Sequence, residues 1–227
     1  MDLSRALLVV DVQNDFVPGG GLAVPDGHRV VPVINALARR FATVVLTQDW
    51  HAPDHLSFAS QHTERGPFET VDMPYGPQVL WPDHCVMDTP GAALHPALDV
   101  PHANCIIRKG ARREVDSYSA FLEADRATHT GLDGYLRSRG IREVVVCGLA
   151  TDYCVAWTAL DARRFGFEVS VAEDACRAID LAGSLDRAWV EMQAAGVRRV
   201  SSSSSPGQDT AGARSRRPAA AACSPRR

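Results

Sequence analysis

Several stretches of this chain are apolar on every residue rather than on alternate ones, which narrows its possible folds more than any other feature. An apolar run from Ala6 ends at Asp11, Thr43 to Thr47 repeats the pattern, and Val144-Val145-Val146-Cys147 repeats it again. Cys105-Ile106-Ile107, Glu168 to Ala172 and Val197 to Ser201 are shorter candidates. A strand that is apolar on both sides has to be covered on both faces. The segments between them carry helical spacing: Val30, Val33, Ile34, Leu37 and Phe41; Leu132, Leu136 and Ile141; Val155, Leu160 and Phe165; Leu185, Ala188, Trp189 and Met192. Alternating buried strands and amphipathic helices predict an α/β fold with a mostly parallel sheet between helical layers. Reactive groups in such sheets gather at the carboxyl ends of the strands. Asp11, Asp49, Lys109 and Cys154 all fall at or just past such ends.

Two regions break the alternation. Residues 50–103 are rich in Pro, His and Asp with little periodicity, and a loop of that length usually builds a site. From about Ser202 the chain becomes a Ser/Ala/Arg-rich tail with almost no bulky apolar residues, including Arg214, Arg216, Arg217, Arg226 and Arg227. We expect a domain over 1–201 and a disordered tail over 202–227. The formal charge of −3 gives no reason to expect nucleic acid as a partner. No apolar run approaches the ~20 residues of a membrane span. Met1 to Arg5 lead straight into the first strand, leaving no room for a signal peptide. The six cysteines form no CxxC pair, which fits reduced thiols in a cytoplasmic protein.

Cys154 is the candidate nucleophile. It follows the Val144 strand and the break at Gly148, in what reads as the first turn of a helix, where unpaired N–H groups favour thiolate and can hold an oxyanion. A thiol also needs a base and a favourable charge, which Asp11 and Lys109 can supply. Cys147 and Cys105 sit in apolar strands and read as inert core thiols. Cys85 has no evident base, and Cys223 lies in the tail. Asp49 and His51, two apart in an extended segment, point the same way, and His84 adds a third donor from the long loop. One carboxylate and two imidazoles suit a catalytic zinc, iron or manganese ion. His55 reads either as a fourth ligand or as a group orienting the others.

Asp11-Val12-Gln13-Asn14-Asp15-Phe16, Thr47-Gln48-Asp49-Trp50-His51, Trp81-Pro82-Asp83-His84-Cys85, Lys109-Gly110 and Gly148 through Val155 together resemble the nicotinamidase/pyrazinamidase family of the isochorismatase-like cysteine hydrolases. The resemblance runs in order from about Ala6 to Ser201. It implies a three-layer α-β-α fold with a six-stranded, mostly parallel sheet. It also implies hydrolysis of nicotinamide to nicotinate and ammonia in NAD salvage, with pyrazinamide as a further substrate. Cys154 would be the nucleophile, Asp11 the base and then acid, and Lys109 the charge partner. Ala150 and Cys154 amides would form the oxyanion hole, helped by a cis peptide between Leu149 and Ala150. One divalent ion, zinc first and iron or manganese as alternatives, would sit on Asp49, His51 and His84 and hold the ring nitrogen. Phe16, Trp81, Tyr118, Leu149 and Tyr153 would pack around the ring. Partners other than the small-molecule substrate are not implied, and the state is a monomer or homo-oligomer. Arg112, Arg113 and Glu114 receive no role. The rival readings are an amidase acting on ureido or carbamoyl compounds, and an inactive ligand-binding relative.

Overall fold

A computed structural model describes residues 2–204; the proposed tail beyond Ser204, with Cys223 and its arginines, lies outside the described residues. The main sheet has six strands, all parallel: β1 (Arg5–Val10), β2 (Thr43–Asp49), β5 (Cys105–Lys109), β6 (Glu143–Leu149), β7 (Glu168–Arg177) and β8 (Arg198–Val200). A separate two-stranded antiparallel sheet joins β3 (Thr70–Met73) and β4 (Gly76–Val79). The helices are α1 (Val30–Ala38), α2 (Leu132–Ser138), α3 (Ala156–Arg164) and α4 (Ser184–Ala194). This is the three-layer α/β fold that the apolar runs require, since every residue of β2 and all but the first of β1 and β6 are buried. Among the described residues no helix is long and apolar enough to cross a membrane.

The strand order is β5-β2-β1-β6-β7-β8. From β1 the chain builds outward on one side through β2 and β5, then returns to build the other side through β6, β7 and β8. The order therefore reverses between β1 and β6, and a crevice opens there beyond the carboxyl ends of the strands. Gly148 permits the tight contact at that point: its φ is +120°, and a Cβ would come within 2.0 Å of the Val10 carbonyl oxygen.

Three details differ from the sequence reading. The hairpin β3–β4 lies inside the segment that shows no periodicity; its strands are four residues long, too short to leave a pattern. Cys105 is only half-buried, because β5 is an edge strand whose residues alternate in exposure. Ser202, assigned to the tail, is held to the body by its N–H, which donates to Asp174 Oδ1 at 2.7 Å.

Candidate active site

Asp11 follows β1 directly, with φ of 49°. Asp is one of the few residues that tolerate this left-handed region, and the turn swings its side chain toward the crevice. Thr47 of β2 fixes it on two sides: its hydroxyl accepts the Asp11 N–H at 3.1 Å and donates to Asp11 Oδ1 at 2.5 Å. Gln13 does the same for Asp49, accepting the Asp49 N–H at 2.9 Å and donating to the Asp49 carbonyl at 2.8 Å. Thr47 and Gln13 are both fully buried, and the sequence reading assigned neither a role.

Lys109, at the end of β5, joins these groups. Its ammonium hydrogen-bonds Asp49 Oδ1, the Ser117 carbonyl at 2.8 Å and Cys154 Sγ at 3.4 Å. Those contacts use the three N–H groups that an ammonium has. Asp11 Oδ2 lies 2.9 Å from the same nitrogen as an ion pair, so the two carboxylates share the ammonium. A carboxylate oxygen of Asp11 also lies within 4.8 Å of Cys154 Sγ. Burial opposes the ammonium, but Asp11 and Asp49 outweigh it and push the Lys109 pKa up. Burial raises the Asp11 pKa despite Lys109, whereas Lys109 and His51 overcome burial at Asp49 and hold its pKa below the ordinary range.

Cys154 is placed differently from the expected first α-helical turn. Residues Thr151–Val155 form a wider π-type turn ahead of α3. The Ala150 carbonyl accepts the N–H groups of Tyr153 and Val155, on either side of Cys154, at 3.2 and 3.1 Å. The Leu149–Ala150 peptide is cis. Burial, with Asp11 and Asp49 adding to it against Lys109, pushes the thiol pKa up. Burial raises Cys147 and Cys85 likewise and takes Cys176 to about 12. Cys154 therefore differs from the other buried thiols in having a base and an ammonium against its sulfur.

Donor atoms of Asp49, His51 and His84 all lie within 4.8 Å of one another, and all three residues are buried. The Nδ1 of His51 bonds the Gly110 carbonyl at 2.9 Å and that of His84 bonds the Pro82 carbonyl at 2.8 Å. A carbonyl only accepts, so each Nδ1 carries hydrogen, and in the neutral ring each Nε2 presents its lone pair. Both Nε2 atoms face Asp49 Oδ2, at 3.7 and 3.9 Å. An oxygen and two imidazole nitrogens so fixed fit a divalent ion. Burial is the largest cause that lowers His84 to about 4, which favours the neutral ring that a ligand must be. His55 is set apart. The Ser57 N–H donates to its Nδ1 at 3.2 Å, which leaves the hydrogen on Nε2, facing the Val115 carbonyl at 3.4 Å. Its ring lies against that of His51, tilted at 47° with centroids 4.5 Å apart.

A pocket at the thiol and the metal donors is lined by Phe16, Trp81, Tyr118, Tyr153, Ala150, Cys154, Asp49 and His84. Trp81 Nε1 donates to Tyr118 Oη at 3.0 Å, and Tyr153 meets Trp81 edge-on at 4.9 Å. Leu149 is not among the lining residues; it is fully buried in the core. Leu22, Asp116 and Ile179 line the cavity without having been singled out from the sequence. Arg112 and Arg113 point elsewhere, to Glu123 and Asp125 and to Asp54.

The isochorismatase domain model matches residues 5–204. A nicotinamidase from Acinetobacter baylyi is 60% identical over 197 residues, spanning 87% of this chain and 92% of that protein. The chain belongs to the nicotinamidase/pyrazinamidase branch of the isochorismatase family. The solved structure of an Acinetobacter baumanii nicotinamidase/pyrazinamidase superposes on this family member with a TM-score of 0.88 at 57% identity, covering 89% of this chain and 98% of that one. A Pyrococcus horikoshii pyrazinamidase solved in complex with zinc superposes with a TM-score of 0.73 at 38% identity, covering 87% and 99%.

Proposed function

We propose that this protein is a metal-dependent cysteine amidohydrolase that converts nicotinamide to nicotinate and ammonia in NAD salvage, and also hydrolyses pyrazinamide. The observation that carries the reading is a lysine-bonded Cys154 with the Asp11 carboxylate within 4.8 Å of its sulfur, at a pocket that adjoins an Asp/His/His donor set. An ion held by Asp49, His51 and His84 supplies a Lewis-acid anchor for the ring nitrogen and so orients the ring. Phe16, Trp81, Tyr118 and Tyr153 enclose the ring and exclude water.

Asp11 takes the Cys154 proton as the sulfur bonds to the amide carbon. The raised pKa of the buried carboxyl lies nearer to that of the thiol than an exposed one would, which makes the transfer less uphill. Lys109 stays charged and screens the sulfur from two carboxylates. The amides of Ala150 and Cys154 receive the developing oxyanion, a contribution worth ~3–4 kcal/mol per donor. Asp11 then gives the proton to the amide nitrogen, the C–N bond breaks, and ammonia leaves a thioester. A water molecule gives its proton to Asp11 and attacks the thioester carbon. The C–S bond breaks, Asp11 returns that proton to the sulfur, and the acid departs.

The test is ammonia release from nicotinamide and pyrazinamide by purified protein, before and after ion removal and after refilling with zinc, iron or manganese. Activity lost on chelation and regained on refilling is expected. No ammonia from the loaded protein would sink the amidase reading, and a full rate after verified ion removal would sink the metal dependence.

A further inference from the structure

One carboxylate of the cavity takes no part in the reaction above. Asp116, between β5 and α2, is 2% exposed and lines the cavity together with Cys154, Trp81 and Tyr118. Each of its oxygens accepts one N–H: the Ser117 amide on Oδ1 at 2.7 Å and Gln78 Nε2 on Oδ2 at 2.8 Å. Gln78 belongs to β4; its Nε2 also donates to Tyr118 Oη at 2.9 Å, and its Oε1 accepts the Tyr75 hydroxyl at 3.1 Å. The β3–β4 hairpin thus fixes a negative charge in the wall of the ring pocket.

That charge is not answered as the others are. Asp11 and Asp49 share Lys109. The arginines that precede Asp116 in the chain are engaged elsewhere, Arg112 with Glu123 and Asp125 and Arg113 with Asp54. The basic groups nearest Asp116 are rings: His51 and His55 each place a nitrogen within 4.8 Å of one of its oxygens. With a divalent ion on Asp49, His51 and His84, three buried carboxylates face one ammonium and the ion, and the site is close to neutral. Without Asp116 the same site would be cationic. A cationic pocket favours an anion over a neutral ligand of the same shape.

We propose that Asp116 sets the charge selectivity of the ring pocket, admitting the neutral amide and disfavouring the anionic acid that hydrolysis leaves behind. The proposal rests on the amidase reading of this site. It makes Asp116 a specificity-determining residue whose effect shows in ligand binding.

Calorimetric Kd values for nicotinamide and nicotinate, measured on zinc-loaded Cys154→Ala protein with ion content checked, test it without turnover. Adding Asp116→Asn should tighten nicotinate at least about tenfold, the scale of a unit charge at about 6 Å in a partly polar interior, and move nicotinamide less than about threefold. Gln78→Met disturbs the same wall and leaves the charge, so it should leave the ratio of the two Kd values near that of the parent. An unchanged ratio in Asp116→Asn, or an equal change in Gln78→Met, overturns the proposal. A measurement needing no change at Asp116 stands beside it. Pyridine-3-sulfonate should bind the Cys154→Ala parent at least about tenfold more weakly than nicotinamide, again on the unit-charge scale, and comparable binding overturns the proposal. If the wild-type protein releases no ammonia from nicotinamide, the amidase reading itself has failed. With turnover intact, the Kd ratios bear on Asp116 alone.

Discussion

Replacing Lys109 by Met keeps most of the buried stem and removes only the ammonium, so packing changes little while the charge is lost. What remains is Asp11 and Asp49 facing each other, each buried, with no cation between them. Breaking a buried pair by removing one partner costs about 3–5 kcal/mol, because the stranded charge keeps its desolvation penalty. For a domain of this size each kcal/mol moves Tm by about 2–4 °C, so a drop of ~6–20 °C is expected. The pH dependence has a definite sign. Burial already raises the Asp11 pKa, and loss of Lys109 removes the largest opposing effect and raises it further. A carboxyl with a raised folded pKa stabilises most below its unfolded value, and that stability is lost as pH rises through the folded value. The deficit should therefore be largest at neutral pH and shrink on acidification, as Asp11 of the variant protonates. Urea denaturation in chelator at several pH values measures it. Adding zinc should restore part of the loss, since an ion on Asp49 replaces some of the missing positive charge. Stability within about 1 kcal/mol of wild type at pH 7 in chelator would refute the argument that Lys109 compensates two buried carboxylates.

Cys154→Ala should abolish ammonia release while Tm and zinc content stay near wild type; turnover at the wild-type rate would exclude the thioester route. Thr47→Val strips the hydroxyl that bonds Asp11 twice, which should cost about 1–3 kcal/mol. That bond lowers the Asp11 pKa, so its loss should move the acid limb of the pH–rate profile to higher pH; a limb that stays put or moves down contradicts the base assignment. Gly110→Ala places a Cβ 2.6 Å from the His51 ring at a φ of +68°. It should weaken zinc binding about 10- to 100-fold, read by competition with a chelating dye, and wild-type affinity would show that the ring does not need its present seat.

The sequence and the structure agree wherever the signal is local. Apolar runs such as Leu7 to Val10 and Val144 to Cys147 read as buried strands because a strand covered on both faces must be apolar throughout, and they are buried here. Asp49 and His51 share a face because alternate residues of extended chain do. Gln13 and Thr47 escaped notice because their work is done across β1 and β2, over 36 positions of sequence separation. Asp116 sits in a stretch whose identity says nothing of direction, and only the hairpin that fixes it turns it into part of the pocket.

By itself the sequence determined the fold class and the strands of the main sheet, and it pointed to the candidate nucleophile with its base and lysine and to the candidate metal donors, since each rests on a run, a spacing or a motif. The tertiary structure decided the rest. It showed that Cys154 lies in a π-type turn, that His55 turns its Nδ1 to Ser57 and its Nε2 to Val115, that Leu149 is core, and that Asp116 is pocket wall. The reason is common to all four. Protonation, tautomer and exposure depend on which groups from distant segments arrive within a few ångströms, and no one-dimensional pattern records that.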